Sequence, residues 1–282
     1  MHNETTDYIP DNDTDLIDAL VEVTKDFPAP PLVLTRILEL TSQPDVSIEK
    51  IEQVISSDAG TAAKILRLSN SAFYGRSRNI ASIKDAIMLL GIHTVRSLVV
   101  ASGTYGLYNG SGALGSLKQR MWEHSLATAV LCKMLARHYG IFQPEEAFLA
   151  GLLHDVGKLV LLQRFPDKYL EIIQPIDRDA MSALALEMEI FQFNHQQVGS
   201  ALVDDWLLPE NLVIAIGQHH NFKDADSLPG LTAIADAIVA SKGYNILASD
   251  PELGNVVEEF DLAELVQQFE EEYREQSQLF VQ

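Results

Sequence analysis

The run Phe148-Leu149-Ala150-Gly151-Leu152-Leu153-His154-Asp155-Val156-Gly157-Lys158-Leu159-Val160-Leu161-Leu162 limits what this chain can fold into more than any other segment. Its apolar residues demand burial, and burial carries His154, Asp155 and Lys158 out of water with them. An ionised carboxylate taken into a protein interior without a partner costs several kcal/mol, so such groups are paired or bound to metal. A His154–Asp155 hydrogen bond or a salt bridge to Lys158 would satisfy that demand locally. A bilayer would not, because no apolar run in the chain reaches the roughly 18 residues that a crossing needs.

The rest of the chain supplies helices to do the burying. Apolar residues recur at helical spacing with no convincing strand alternation, which predicts an all-α fold. Residues 15–23 read as a short helix closed off by Phe27-Pro28-Ala29-Pro30-Pro31, and the next helix carries Leu34, Ile37 and Leu38 and ends near Pro44. Ser47 offers an N-cap for a helix with Ile48, Ile51, Val54 and Ile55 on one face. A helix over 60–68 follows, with Ala63, Ile65 and Leu66 as core candidates. Ser82 with Asp85 three residues on makes a capping-box pattern, Gly91 suits the helix end, and 92–101 reads as a further helix. The Gly/Ser-rich stretch 109–116 is the best linker candidate.

Beyond it the pattern predicts a long helix over 117–139 stopped by Gly140, then one opened by Pro144 that leads into His154-Asp155. Asn194 can cap a helix through Trp206, Pro209 opens another that ends at His219-His220, and 231–241 follows. The acidic amphipathic stretch 258–274 reads as a solvated surface helix. No repeat with a period of about 20 to 50 residues occurs, which argues against a solenoid.

Charge and cysteine usage narrow the function. The 282 residues hold 20 Lys+Arg against 40 Asp+Glu, a net charge of −20, so no broad nucleic-acid surface is expected. A single cysteine, Cys132, excludes an internal disulfide and any multi-thiolate metal site, and its apolar helix makes it a core residue. The first ten residues lack a basic and an apolar signal region, so the expected setting is cytoplasmic, with no membrane partner.

The remaining histidines and acids lie toward apolar faces. His124 shares a helical stripe with Met121, Thr128, Leu131 and Leu135. His138 lies nearly on that stripe but about 21 Å further along, too far to share a metal centre, and reads as a last-turn cation on the helix dipole. His195 opens a helix, and Gly199 four residues on leaves room for close approach. His219 and His220 diverge by about 100° on a regular helix, so both reach one ion only if the helix end relaxes; otherwise one stands behind the other. Asp236 sits among Thr232, Ala233, Val239 and Ala240. Taken singly these are modest signals: a lone core histidine is usually just hydrogen-bonded, and Asp236 could be an N-cap or a surface acid, although its small apolar face argues against both. Together they offer five imidazoles and two carboxylates, a donor set that suits iron, manganese, zinc or nickel. Two ions bridged by Asp155 would use all seven groups.

The order His124, His154-Asp155, Asp236 resembles the HD phosphohydrolase superfamily. With His195, His219-His220 and the His154-Asp155-Val156-Gly157-Lys158 form, it is similar to the dinuclear sites of HD-GYP cyclic-dinucleotide phosphodiesterases. The upstream half resembles the narrower HDOD family of bacterial signalling output domains. Pro30-Pro31-Leu32, the helix exit Leu68-Ser69-Asn70-Ser71-Ala72-Phe73-Tyr74-Gly75 and the stretch from Ser82-Ile83 to Leu89-Leu90-Gly91 carry that likeness. Two departures stand out: Asn221-Phe222-Lys223-Asp224 replaces a Gly-Tyr-Pro element, and Arg120 stands where those phosphodiesterases often have a glutamate.

The resemblance implies an N-terminal helical subdomain (24–112) packed on an HD-like metal-binding subdomain (113–245), flanked by acidic segments 1–23 and 246–282. It implies a metal-dependent phosphohydrolase, with one ion on His124, His154, Asp155 and Asp236. A second would take Asp155, His195 and His219, His220 or both. Iron or manganese comes first and zinc or nickel next, with Asp155 and Lys158 acting on a phosphate-containing small molecule. The alternative is a signalling module without catalysis that binds a protein partner and in which metal is structural or absent; many HDOD proteins have lost ligands and act as regulators.

Overall fold

A computed structural model describes residues 13–25, 27–28, 31–41, 45–70, 80–173, 183–220, 226–244 and 262–280. Their regular elements are all helical, as the periodicity predicts. In chain order they are α1 Asp13–Thr24, α2 Leu32–Thr41, α3 Ile48–Ser56, α4 Ala59–Ser69, α5 Ile83–Leu90, α6 Ile92–Tyr105, α7 Gly112–Tyr139 and α8 Pro144–Leu153. Then come α9 Val156–Arg164, α10 Pro166–Ile173, α11 Ala183–Phe191, α12 His195–Asp205, α13 Glu210–Gln218, α14 Leu228–Val239 and α15 Ala263–Phe280. A 3-10 turn, Gly106–Tyr108, follows α6, and a π turn, Ala240–Tyr244, continues α14.

Short polar side chains start these helices by satisfying N–H groups that have no carbonyl one turn back. Ser47 accepts from the Lys50 N–H, Asp58 from Thr61 and Ser82 from Asp85. Asn194 and Gln197 form a reciprocal capping box at the start of α12. Gly140, at φ 67°, ends α7 in the left-handed region that a Cβ would strain.

The core is one continuous apolar cluster. Helix α7 is its axis: Leu117 through Ala136 are largely buried, and α8, α14 and α15 pack along it. Helix α6 has α2, α4 and α5 on one side and α8 on the other, which joins the N-terminal layer to the rest. Trp122 of α7 meets Tyr105 and Tyr108 edge-on at centroid distances of 5.0 and 5.5 Å, sealing the same junction. Helix α12 lies between α9 and α13.

Three elements differ from the sequence reading. The linker candidate 109–116 is in its second half the first turn of α7, and Gly115 is buried against the Gly110 backbone, 2.5 Å from where its Cβ would stand. Glycines there serve close approach and not flexibility. Helix α15 is not wholly solvated: Val266, Phe269, Tyr273 and Gln276 are buried on one face, against α7. The helix expected over 231–241 starts at Leu228 and relaxes into the π turn. The expectations for 1–12, Ala29-Pro30, Pro44, Ser71 to Gly75, Asn221 to Asp224 and 258–261 lie outside the described residues.

Candidate metal centre

Helices α8 and α9 are separated by a two-residue break, and His154 and Asp155 occupy it. That break turns both side chains inward from a segment otherwise composed of core residues. His124 projects from the middle of α7, His195 is the first residue of α12, and His219 ends α13 with His220 next to it. Asp236 comes from α14. Gly157 permits the convergence: a Cβ on it would collide with the carbonyl oxygen of His195, and the Gly199 N would stand 2.8 Å away. Glycine at 157 thus lets α9 and α12 approach at backbone contact.

The imidazoles are held by their outer nitrogens. Nδ1 of His124 faces the Tyr244 carbonyl at 2.8 Å, Nδ1 of His154 that of Gly151 at 2.8 Å, and Nδ1 of His219 that of Ile216 at 2.7 Å. A nitrogen facing a carbonyl donates its proton, which in the neutral ring leaves Nε2 as a lone pair. These Nε2 atoms face one another: 3.2 Å from His124 to His154, 3.3 Å from His195 to His219 and 3.1 Å from His195 to His220. In their neutral form these rings would turn converging lone pairs on one another, a donor set that could hold a cation.

Asp155 stands between two such clusters. Its Oδ2 lies 3.5 Å from His124 Nε2 and 3.4 Å from His154 Nε2, and accepts from Lys158 Nζ at 2.7 Å. Its Oδ1 lies 3.5 Å from His195 Nε2 and 3.6 Å from His219 Nε2, and it is buried with no hydrogen-bond partner. An orphaned carboxylate oxygen in a buried site calls for a positive charge. Asp236 Oδ1 lies beside the first cluster, 3.0 Å from His124 Nε2 and 3.8 Å from His154 Nε2. The donor atoms of Asp155, His195, His219 and His220 lie within 4.8 Å of one another, and so do those of His124, His154 and Asp155. The residues fit a metal group on both sides of Asp155.

The electrostatics agree. Burial would raise the Asp155 pKa, but the charges of His154 and Lys158 hold it well below the usual carboxylate range. Asp236 is likewise held down, against its burial, by the His124 hydrogen bond and charge. Burial would lower His124; hydrogen bonds to Asp155 and Asp236 overcome it and push its pKa up to about 9. His219 moves the other way, down to about 4, through burial and the charges of His154 and His195. Burial, with the charges of His219, His195 and Lys158, also pushes His220 down.

All seven ligand candidates are therefore brought together, and His138 is not among them, being exposed in the last turn of α7. The α13 end relaxes, with ψ −10° at His219, so His219 and His220 both face His195. Arg120 is exposed one turn before His124. The sequence reading passed over two residues. Glu187, wholly buried in α11, accepts from both the backbone N–H and Nδ1 of His195, at 2.8 and 2.6 Å. Gln196, with its amide oxygen turned toward the α13 end, accepts from the backbone N–H groups of His219 and His220 at 3.1 and 3.0 Å. An acid within the apolar run Ala183-Leu184-Ala185-Leu186 to Phe191 was the available signal for Glu187. Nothing local in sequence marks Gln196.

Fold and site together define a helical protein built around a buried His/Asp centre able to hold metal. The chain belongs to the HDOD family, whose HDOD domain matches residues 27–222. The site thus lies within the family match except for Asp236, which α14 brings in from beyond it. Among solved structures, the fold is shared with an HDOD domain protein of unknown function from Geobacter sulfurreducens: 24% identity, TM-score 0.76, covering 94% of this chain and 98% of that one. A structure from Shewanella amazonensis, provisionally named a phosphohydrolase, is 26% identical at TM-score 0.70, covering 92% and 98%. An uncharacterized protein of Treponema pallidum is 24% identical over 213 residues, 75% of this chain; the chain spans 41% of that relative's length.

Proposed function

We propose that the chain is a metal-dependent phosphohydrolase that cleaves a phosphodiester or a nucleotide phosphate in bacterial signal transduction. The observation that carries this reading is the position of Asp155, whose two oxygens each face a separate cluster of imidazole Nε2 atoms while Oδ1 has no hydrogen-bond partner. His124, His154, Asp155 and Asp236 would hold one cation, and Asp155, His195, His219 and His220 a second, iron or manganese before zinc or nickel. When bound, such cations activate water near neutral pH and neutralise charge on a phosphoryl group. His124, His154 and His219 arrive oriented by backbone carbonyls and His195 by Glu187, so little ordering of these four rings is left for the moment of binding. Lys158, hydrogen-bonded to Asp155 Oδ2, balances the shared carboxylate and would touch a substrate phosphate only by leaving it. The proposal sets the protein in the cytoplasm, in keeping with its lone cysteine; no helix among the described residues is long and apolar enough to cross a membrane.

The burial of the cluster favours a second reading. His154, His195 and His219 are wholly buried and Lys158 is 7% exposed, as suits a cation that fixes the fold of a signalling module while helical surfaces bind a protein partner. Metal analysis and a substrate panel separate the two. Protein expressed with iron and manganese supplied is expected to carry about two equivalents of transition metal and to hydrolyse phosphodiesters or phosphomonoesters. His154→Ala and Asp155→Ala should lose both metal and turnover. Metal-loaded protein without turnover, or turnover indifferent to these substitutions, refutes the enzyme; less than about half an equivalent of metal refutes the metal centre itself.

A further inference from the structure

We propose that Glu187 is the positioning residue of the second metal position, fixing His195 as an Nε2 donor and supplying negative charge that the position's direct ligands lack. The inference rests on the metal reading above and goes beyond its ligand list.

The three other oriented imidazoles donate Nδ1–H to neutral backbone carbonyls. Among these four rings only His195 donates Nδ1–H to a carboxylate, at 2.6 Å, and the same Glu187 oxygen also accepts the His195 backbone N–H at 2.8 Å. Two bonds from one residue to one oxygen fix both the ring plane and the helix start that carries it. The other carboxylate oxygen accepts from the Tyr169 hydroxyl at 3.2 Å, and both residues are wholly buried. Burying a carboxylate is costly, and Glu189, two residues on, is left exposed. Lys158 adds a smaller favourable charge to Glu187, but His195 comes before it, and the Lys158 ammonium is hydrogen-bonded to Asp155.

The charge has a use at the centre. The first cluster has two carboxylates, Asp155 and Asp236, against two imidazoles. The second has three imidazoles and only the Oδ1 of the shared Asp155. A carboxylate behind His195 makes that ring a more basic donor and returns part of the missing negative charge through it. Glu187 thereby evens out two positions that their direct ligands leave unequal.

The test is metal titration of the whole chain, stripped of metal, with Mn(II) by calorimetry and with Co(II) by visible spectroscopy. Wild type should show two positions. Glu187→Gln keeps the shape and removes the charge, and should weaken one of them about 10- to 100-fold, the range for partners behind a ligating histidine. The other position should be unchanged. His219→Ala disables the second position directly, so adding E187Q to it should change nothing further. Tyr169→Phe leaves the charge but removes one bond to it, and should shift the same position in the same direction by a smaller factor, which keeps the inference testable if E187Q fails to fold. Unchanged affinities in E187Q, or equal weakening of both positions, would overturn it. A wild-type chain that binds no ion overturns the metal reading first and this inference with it.

Discussion

At the scale of single residues, the centre is built by giving four of its five rings a fixed contact at Nδ1 and turning Nε2 inward. Asp236 shows how much one carboxylate can matter there. It is the acid nearest His124, at 3.0 Å, and it also lies 3.8 Å from His154. Asp236→Asn preserves volume and removes the charge, so His124 would keep only Asp155 as an anionic neighbour. The expected outcome is metal content falling from about two equivalents to about one, with the His195–His219–His220 side still loaded. Elemental analysis after dialysis reads it; retention of both ions would show that Asp236 has no part in holding metal. The contact could be anticipated from sequence only as far as the face of the helix. Thr232, Ala233, Val239 and Ala240 mark that face as small and apolar, but the approach of α14 to α7 is a matter of packing.

At the scale of helices, the legible features were those encoded within a turn or two. Ser47, Asp85 with Ser82, Gly140, Pro144 and Asn194 mark boundaries through local hydrogen bonds or backbone freedom, and the structure uses each of them. Residues whose purpose lies on another helix were not legible in this way. Gly115 in a Gly/Ser-rich stretch looks like a linker until Gly110 is seen against it. The buried face of α15 was hidden by the acids around Phe269 and Tyr273, which dominate the stretch's composition. Glu187 and Gln196 answer to His195 and to the α13 end respectively, partners that no local pattern reveals. Gly157 could be recognised as a motif member, but its reason is the His195 carbonyl on α12. Gly157→Ala must therefore push α9 and α12 apart, backbone against backbone, where no side chain can give way. A loss of about 1–3 kcal/mol of unfolding free energy is expected, with the second metal position weakened more than the first because α12 carries His195. Denaturant melts beside a metal titration check both; a variant as stable as wild type, with both positions intact, would contradict the packing argument.

At the scale of the whole molecule, charge connects stability, metal and pH. The net charge of −20 surrounds a centre whose carboxylates are themselves buried, so some positive charge is needed there under all conditions. Without metal a proton on His124 supplies part of it, since Asp155 and Asp236 push that pKa from an ordinary 6.5 to about 9. A raised histidine pKa contributes stability that is present in full below the unfolded value and is lost as pH rises through the folded one. The metal-free chain should accordingly weaken between about pH 6.5 and about pH 9. A cation at the first position must displace that proton, so its apparent affinity should grow about tenfold per pH unit over this window and level off above it. His219, held down at about 4, and His220, also lowered, are neutral imidazoles at neutral pH, so these two ligands add no such dependence to the second position. Equilibrium dialysis against limiting Mn(II) should therefore leave about one ion per chain near pH 6 and about two near pH 8.5. The metal-induced rise in melting temperature should increase over the same interval, because the stabilisation follows ligand concentration relative to the dissociation constant. His124→Ala should remove the upper step and leave the lower one. Two positions that load with the same pH dependence would show that His124 and His219 are not held in the opposite protonation states that their surroundings require.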